Sequence, residues 1–173
     1  MGKLWVRFMV QHHTNNYTCS ISDTPQTVKG GFHMSSEQNK ATVRRFYEEV
    51  INQKNLAVLD ELYGDKYVSH DLPSDPAALK SFIGAFHAAF PDGRITIDQM
   101  IAEGDSVALR ATYRGTQTGA LQDIPPTGKA VTVPAQDMYR VVEGKIVEHW
   151  GGPNQLSLLQ QLGVVPAPEQ AGA

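Results

Sequence analysis

Helical periodicity in the first half of the chain, two-residue alternation in the second and a glycine-marked hairpin near the end predict an α+β fold. Amino-terminal helices would pack against a strongly curved antiparallel sheet, giving a cone with one closed end and a hollow inside.

Each element has a local reason. Ser35-x-x-Gln38 is a capping box, and Val43, Phe46, Tyr47, Val50 and Ile51 form one apolar stripe behind it. Asn55 is placed to cap a second short helix that buries Leu56, Leu59 and Leu62, with Gly64-Asp65 as its stop. Tyr67 to Pro73 reads as a short extended segment. Ser74-Asp75-Pro76 then starts a third helix, with proline tolerated in the first turn. Its stripe is Leu79, Phe82, Ile83, Phe86 and Phe90, and Pro91-Asp92-Gly93 ends it. Four antiparallel strands are expected next. In the first, Ile95, Ile97 and Gln99 share one side, opposite Thr96, Asp98 and Met100; in the second, Val107, Leu109, Ala111 and Tyr113 alternate with polar residues. Residues 115–128 are a loop, two more strands follow, and Gln155–Gly163 is a short helix with a glycine stop.

The last two strands, Asp137 to Trp150, carry the candidate chemistry. A three-residue turn closed by Gly144 in the left-handed conformation pairs Val141 with Lys145, Tyr139 with Val147 and Asp137 with His149. A carboxylate and an imidazole would then share a face with Val133, Ala135, Tyr139, Val141 and Val147. Burying either polar group alone is costly, so such a pair is satisfied or functional. A two-residue turn instead pairs Asp137 with Trp150 and sends His149 to the opposite face.

Composition narrows the functional classes. The 173 residues suit one domain with a tail, 41% hydrophobic content suffices for a core, and a net charge of -3 with scattered basic residues argues against nucleic acid. No apolar run approaches a membrane span, and a cytoplasmic protein is expected. The lone Cys19 has no internal disulfide partner, and the histidines lack a tight metal spacing. A metal set of His70, Asp137 and His149 would need convergence in space. No Gly-x-Gly-x-x-Gly or Gly-x-Ser-x-Gly motif is present, so neither a nucleotide site nor a covalent nucleophile is suggested. Residues 1–34 read as an extension, either upstream of a natural start at Met34 or supplying an extra strand from Leu4–Val10. Residues 35–165 form the cone domain, and 166–173 a loose tail.

Four segments carry a family resemblance: Tyr67-Val68-Ser69-His70-Asp71; Phe90-Pro91-Asp92; Gly115-Thr116-Gln117-Thr118-Gly119 with Ile124-Pro125-Pro126-Thr127-Gly128; and Asp137-Met138-Tyr139-Arg140 through Glu143-Gly144-Lys145-Ile146-Val147-Glu148-His149-Trp150. In order and spacing, the chain from about Asn39 to Pro166 resembles the SnoaL-like polyketide cyclases and ester cyclases of the nuclear transport factor 2-like superfamily. The resemblance implies the cone, also described as a cystatin-like roll, and a pocket for a small, mostly apolar molecule. It further implies a homodimer formed through the outer sheet. In those cyclases an aspartate just after the last strand's His-x motif is the general acid/base; the matching position here is Gly151. A neighbouring histidine of those enzymes matches Asp137, and Gln117 stands where their Thr-His-Thr-Gly loop has its histidine.

Asp137, His149 and His70 are therefore the candidate catalytic residues, and His87, Tyr47, Tyr113 and Gln117 the candidate substrate contacts. Paired with the carboxylate, His149 would keep one tautomer and offer its free nitrogen as a base. Three functions stay open: cofactor-independent proton transfer on a carbonyl or polyketide-like substrate, non-catalytic binding of an apolar ligand, and hydrolysis of an epoxide or ester by activated water. Arg140 with Glu148, and Trp150, are expected on the outer face.

Overall fold

A computed structural model describes residues 35–166, and the expectations for 1–34 and for the tail beyond Pro166 lie outside the described residues. Helix α1 (Ser36–Arg45) starts at the predicted capping box, with Gln38 N–H donating to Ser35 Oγ and Ser35 N–H donating to Gln38 Oε1. It runs on as a π-helical stretch, Phe46–Asn52, that buries Phe46, Tyr47 and Val50. Asn52 ends the stretch and binds both backbone groups of Ile95, tying helix to sheet. Helix α2 (Val58–Leu62) buries Leu59 and Leu62 as expected, but its N-cap is Ala57; Asn55 contributes only its carbonyl, which accepts from Val58 N–H. Helix α3 (Pro76–Ala89) begins at Asp75, whose side chain accepts from Ala78 N–H. Its inner stripe holds Leu79 and Ile83, whereas Phe82 is 37% exposed.

The sheet is α+β in the predicted sense, with one strand more than expected. Among the described residues its order is β1-β5-β4-β3-β2, where β1 is Tyr63–Ser69, β2 Arg94–Glu103, β3 Ser106–Thr116, β4 Ala130–Val142 and β5 Lys145–Pro153. Strand β1 begins directly after α2 and runs parallel to β5. Gly64-Asp65 does not break the chain; these residues lie in β1, an edge strand where glycine and charge are tolerated. Gly64 packs against Val147.

Strand β4 alternates without interruption, with Val131, Val133, Ala135, Asp137, Tyr139 and Val141 buried on one face. Strand β3 shows the predicted Val107, Leu109, Ala111, Tyr113 face. In β2 a bulge at Asp98 breaks the expected pattern: the register with β3 shifts between Ile97 and Gln99, so Gln99 faces out while Met100 and Ala102 pack on the core. The core lies between the inner sheet face and the helices, with a second cluster around Phe90, Tyr113, Val133, Leu158 and Leu162, the last two from helix α4 (Gln155–Leu162). No helix among the described residues is long and apolar enough to cross a membrane.

Candidate functional site

Asp137 and His149 meet on the inner face, by a different register from the one expected. The hairpin turn has two central residues, Glu143 and Gly144, both at positive φ (50° and 76°), and Val142 pairs with Lys145. Alone, that turn would place Asp137 and His149 on opposite faces. One extra residue in β5 reverses the outcome. The register shifts between Arg140 and Val141, leaving Val147 without an opposite residue. Beyond the bulge Tyr139 opposes His149, and Asp137 opposes Gly151. The two groups are diagonal neighbours, and His149 Nε2 lies 3.0 Å from Asp137 Oδ1. Asp137 is 8% exposed and His149 2%.

The hydrogen bonds define the imidazole. A carboxylate only accepts, so Nε2 carries the proton it donates to Asp137. In the neutral ring Nδ1 then holds a lone pair, which meets Ser69 Oγ at 3.3 Å. That hydroxyl already accepts from Leu72 N–H, leaving its own proton for Nδ1. Both ring nitrogens are engaged, and Nδ1 shares its lone pair with the Ser69 hydroxyl. The Tyr139 ring covers the imidazole at 4.8 Å, and Tyr139 Oη lies 2.7 Å from Tyr47 Oη. Burial, followed by the charge of Asp137, pushes the Tyr47 phenol well above its ordinary pKa. Tyr139 is raised by burial and then by Tyr47 and Asp137. Burial also raises Tyr63, with Tyr67 next in effect. These phenols stay protonated across the physiological range and act as neutral donors.

A cavity of about 640 Å³ opens beside the pair. Its wall includes Tyr47, Ile83, Phe86, Tyr113, Asp137 and His149, with the bare backbone of Gly151-Gly152. Tyr113 packs its hydroxyl beneath Gly93, where any Cβ would collide with it, and burial raises its phenol pKa. His87 borders the cavity from α3, and its Nε2 is buried without a hydrogen-bond partner. Burial, and then the charge of Lys54, lowers the His87 pKa below its ordinary 6.5. Below 6.5 the unfolded chain takes up a proton that the folded imidazole refuses, so stability falls with pH until the folded ring also titrates. His87→Gln is expected to flatten this segment of a stability–pH curve measured by urea unfolding.

Two predicted residues stand elsewhere. His70 borders the cavity, but its ring stacks on Trp150 (4.9 Å, 4°) and its Nε2 meets Glu148 Oε1 at 3.1 Å. Glu148 also receives Arg140, its cross-strand partner, at 2.8 Å; Arg140 and then His70 lower the Glu148 pKa. The His70 imidazole therefore belongs to an outer-face cluster and does not join Asp137 and His149. Gln117 is fully buried, but its amide serves its own loop, donating to Pro125 O and accepting from Thr127 N–H and Oγ1–H. It does not line the cavity. Among the described residues no three histidine, cysteine, aspartate or glutamate side chains converge as a metal set.

Sequence reasoning missed Ser69 and Asp71. Both lie in the Tyr67–Asp71 segment singled out for His70, and the parallel pairing of β1 with β5 delivers them. Ser69 pairs with His149, and Asp71 Oδ2 accepts from Gly151 N–H at 2.7 Å.

Comparison with known proteins identifies the family and the fold. The family model described as SnoaL-like polyketide cyclase matches residues 41–162. Nogalonic acid methyl ester cyclase of Streptomyces nogalater is 27% identical over 106 residues, covering 61% of this chain and 78% of its own. Among solved structures, AclR from Streptomyces galilaeus is 29% identical with a TM-score of 0.70, covering 79% of this chain and 87% of its own. IdmH from Streptomyces antibioticus is 32% identical with a TM-score of 0.63, covering 73% and 99%.

Proposed function

Because the chain belongs to the SnoaL-like polyketide cyclase family, we propose that it is a cofactor-independent enzyme that moves protons on an apolar, polyketide-like carbonyl compound, with Asp137 as the base. One observation carries this reading: a buried carboxylate, held at 3.0 Å by an imidazole whose other nitrogen is also bonded, stands on the wall of a largely apolar cavity. His149 Nε2 is committed to Asp137 and Nδ1 to Ser69, so in this reading the imidazole orients the carboxylate and Asp137 carries the proton transfer.

The reaction that fits is an internal aldol-type closure. Asp137 removes a proton from the carbon beside a carbonyl, and the electron pair moves to the carbonyl oxygen. The Tyr47 hydroxyl hydrogen-bonds both Tyr139 and Asp137, which places a neutral donor beside the base. Tyr47 lines the cavity and is placed to meet that enolate. The enolate carbon attacks a second carbonyl of the same molecule, forming a carbon–carbon bond. Asp137 returns its proton to the new alkoxide, and the product is an isomer of the substrate. Tyr47, Tyr113 and His87 are the substrate contacts in this reading, His70 borders the cavity with its ring held by Trp150 and Glu148, and the acid/base role passes from the side chain missing at Gly151 to Asp137.

Among the described residues the cavity wall carries Asp71 and Asp137 but no lysine or arginine. Fixed negative charge without a counter-cation disfavours an anionic ligand, so a methyl ester should bind at least about ten-fold more tightly than its free acid. Isothermal titration of 2-naphthoic acid against its methyl ester checks this.

The function itself is tested with nogalonic acid methyl ester, the compound named for the Streptomyces nogalater relative. A ring-closed product of unchanged mass, lost in Asp137→Asn, is the expected result. Product heavier by one water, labelled from H₂¹⁸O, would assign hydrolysis instead. Saturable binding with no product would make the protein a carrier.

A further inference from the structure

Strand β5 crosses the cavity wall with no side chain at 151 and 152, and a carboxylate stands on each side of that gap. Asp137 is the cross-strand partner of Gly151, and Asp71 binds Gly151 from the β1 side through Oδ2, at 2.7 Å from the amide nitrogen. Gly151 has φ +104°, and a Cβ there would lie 2.1 Å from Gln136 O. With this backbone no side chain can occupy the position. Gly152 has open space where its Cβ would point. Asp71, Asp137, Gly151 and Gly152 all border the cavity.

We propose that Asp71 is a ligand-binding carboxylate of this cavity, taking a hydroxyl group of the ligand at the bare wall beside Gly151. Asp71 is exposed whereas Asp137 is buried, so the two carboxylates have different environments and different uses. The backbone N–H of Gly151 fixes Asp71 Oδ2 and orients the carboxylate; Oδ1 is then the acceptor for the ligand. A ligand lying against Gly151-Gly152 reaches Asp137 on one side and Asp71 on the other. A phenolic or alcoholic hydroxyl suits the second position. A carboxylate is repelled there, and a methyl ether has no proton to give. The ligand class that follows is a neutral, hydroxylated apolar molecule. This inference rests on the reading of the cavity as the substrate site.

The test compares 2-naphthol with 2-methoxynaphthalene as probes, by fluorescence titration of the full chain. Wild type should prefer the naphthol by about ten-fold, the effect of one hydrogen bond to a charged acceptor. Asp71→Asn keeps an oxygen for the Gly151 N–H, so the strand stays in place. It should reduce the preference to about two-fold, with affinity for the methoxy probe unchanged. An unchanged preference in Asp71→Asn, no preference in wild type, or an equal loss of affinity for both probes would overturn the assignment of Asp71. Failure of either probe to bind wild type would overturn the reading of the cavity, and this inference with it.

Discussion

Asp137→Asn is expected to lower kcat/KM by about 10²–10⁴, the range typical of removing a positioned general base. The substitution is informative because it keeps the geometry. The asparagine oxygen can still accept from His149 Nε2, so the buried imidazole keeps both partners. An amide cannot take up a proton from carbon. Unfolding in urea should therefore show little change while turnover collapses. Asp137→Ala should do both, because it leaves a buried Nε2–H unpaired at a cost of about 1–3 kcal/mol. His149→Gln should reduce turnover less than Asp137→Asn, since it loosens the base without removing it.

The second large effect concerns stability. Gly151→Asp, which would place a carboxylate where the resemblance puts the cyclases' acid/base residue, is expected to destabilise the protein and to gain no activity. Left-handed backbone costs a non-glycine residue about 1–3 kcal/mol. A Cβ 2.1 Å from Gln136 O adds a collision that β4 and β5 must open to relieve. Gly151→Ala should lose at least about 2 kcal/mol in a urea melt. Gly152→Ala is the control. Its φ of +144° is also strained, but nothing lies within 4 Å of its added Cβ, so its loss should be smaller. Equal losses at the two positions would remove the steric part of the explanation.

Much of the fold was legible because its signals are local. The Ser35–Gln38 box, the Asp75-Pro76 helix start and the Val107–Tyr113 alternation each depend on neighbours a few residues away. The parts that were not legible depend on distant pairing. Nothing within Tyr63–Ser69 says that it will lie parallel to β5, and that pairing decides that Ser69 meets His149 while the His70 ring turns outward to Trp150. The bulges at Asp98 and Val147 each add one residue with no sequence signature. The meeting of Asp137 and His149 was anticipated through a register that does not occur. The turn is one residue shorter than expected and β5 one residue longer, and the two differences offset each other at the inner face. Gln117 looked like a site residue because it stands where the resembling cyclases have a loop histidine; here its own loop consumes its amide.

Long-range ¹H–¹⁵N spectroscopy of the His149 imidazole at neutral pH asks which nitrogen bears the proton, and hence which side chain is left to do chemistry. A ring protonated on Nε2, with an unprotonated Nδ1 that shifts in Ser69→Ala, is the predicted spectrum. A ring protonated on Nδ1, with Nε2 accepting, would require Asp137 to hold the proton between them and would contradict its assignment as the base.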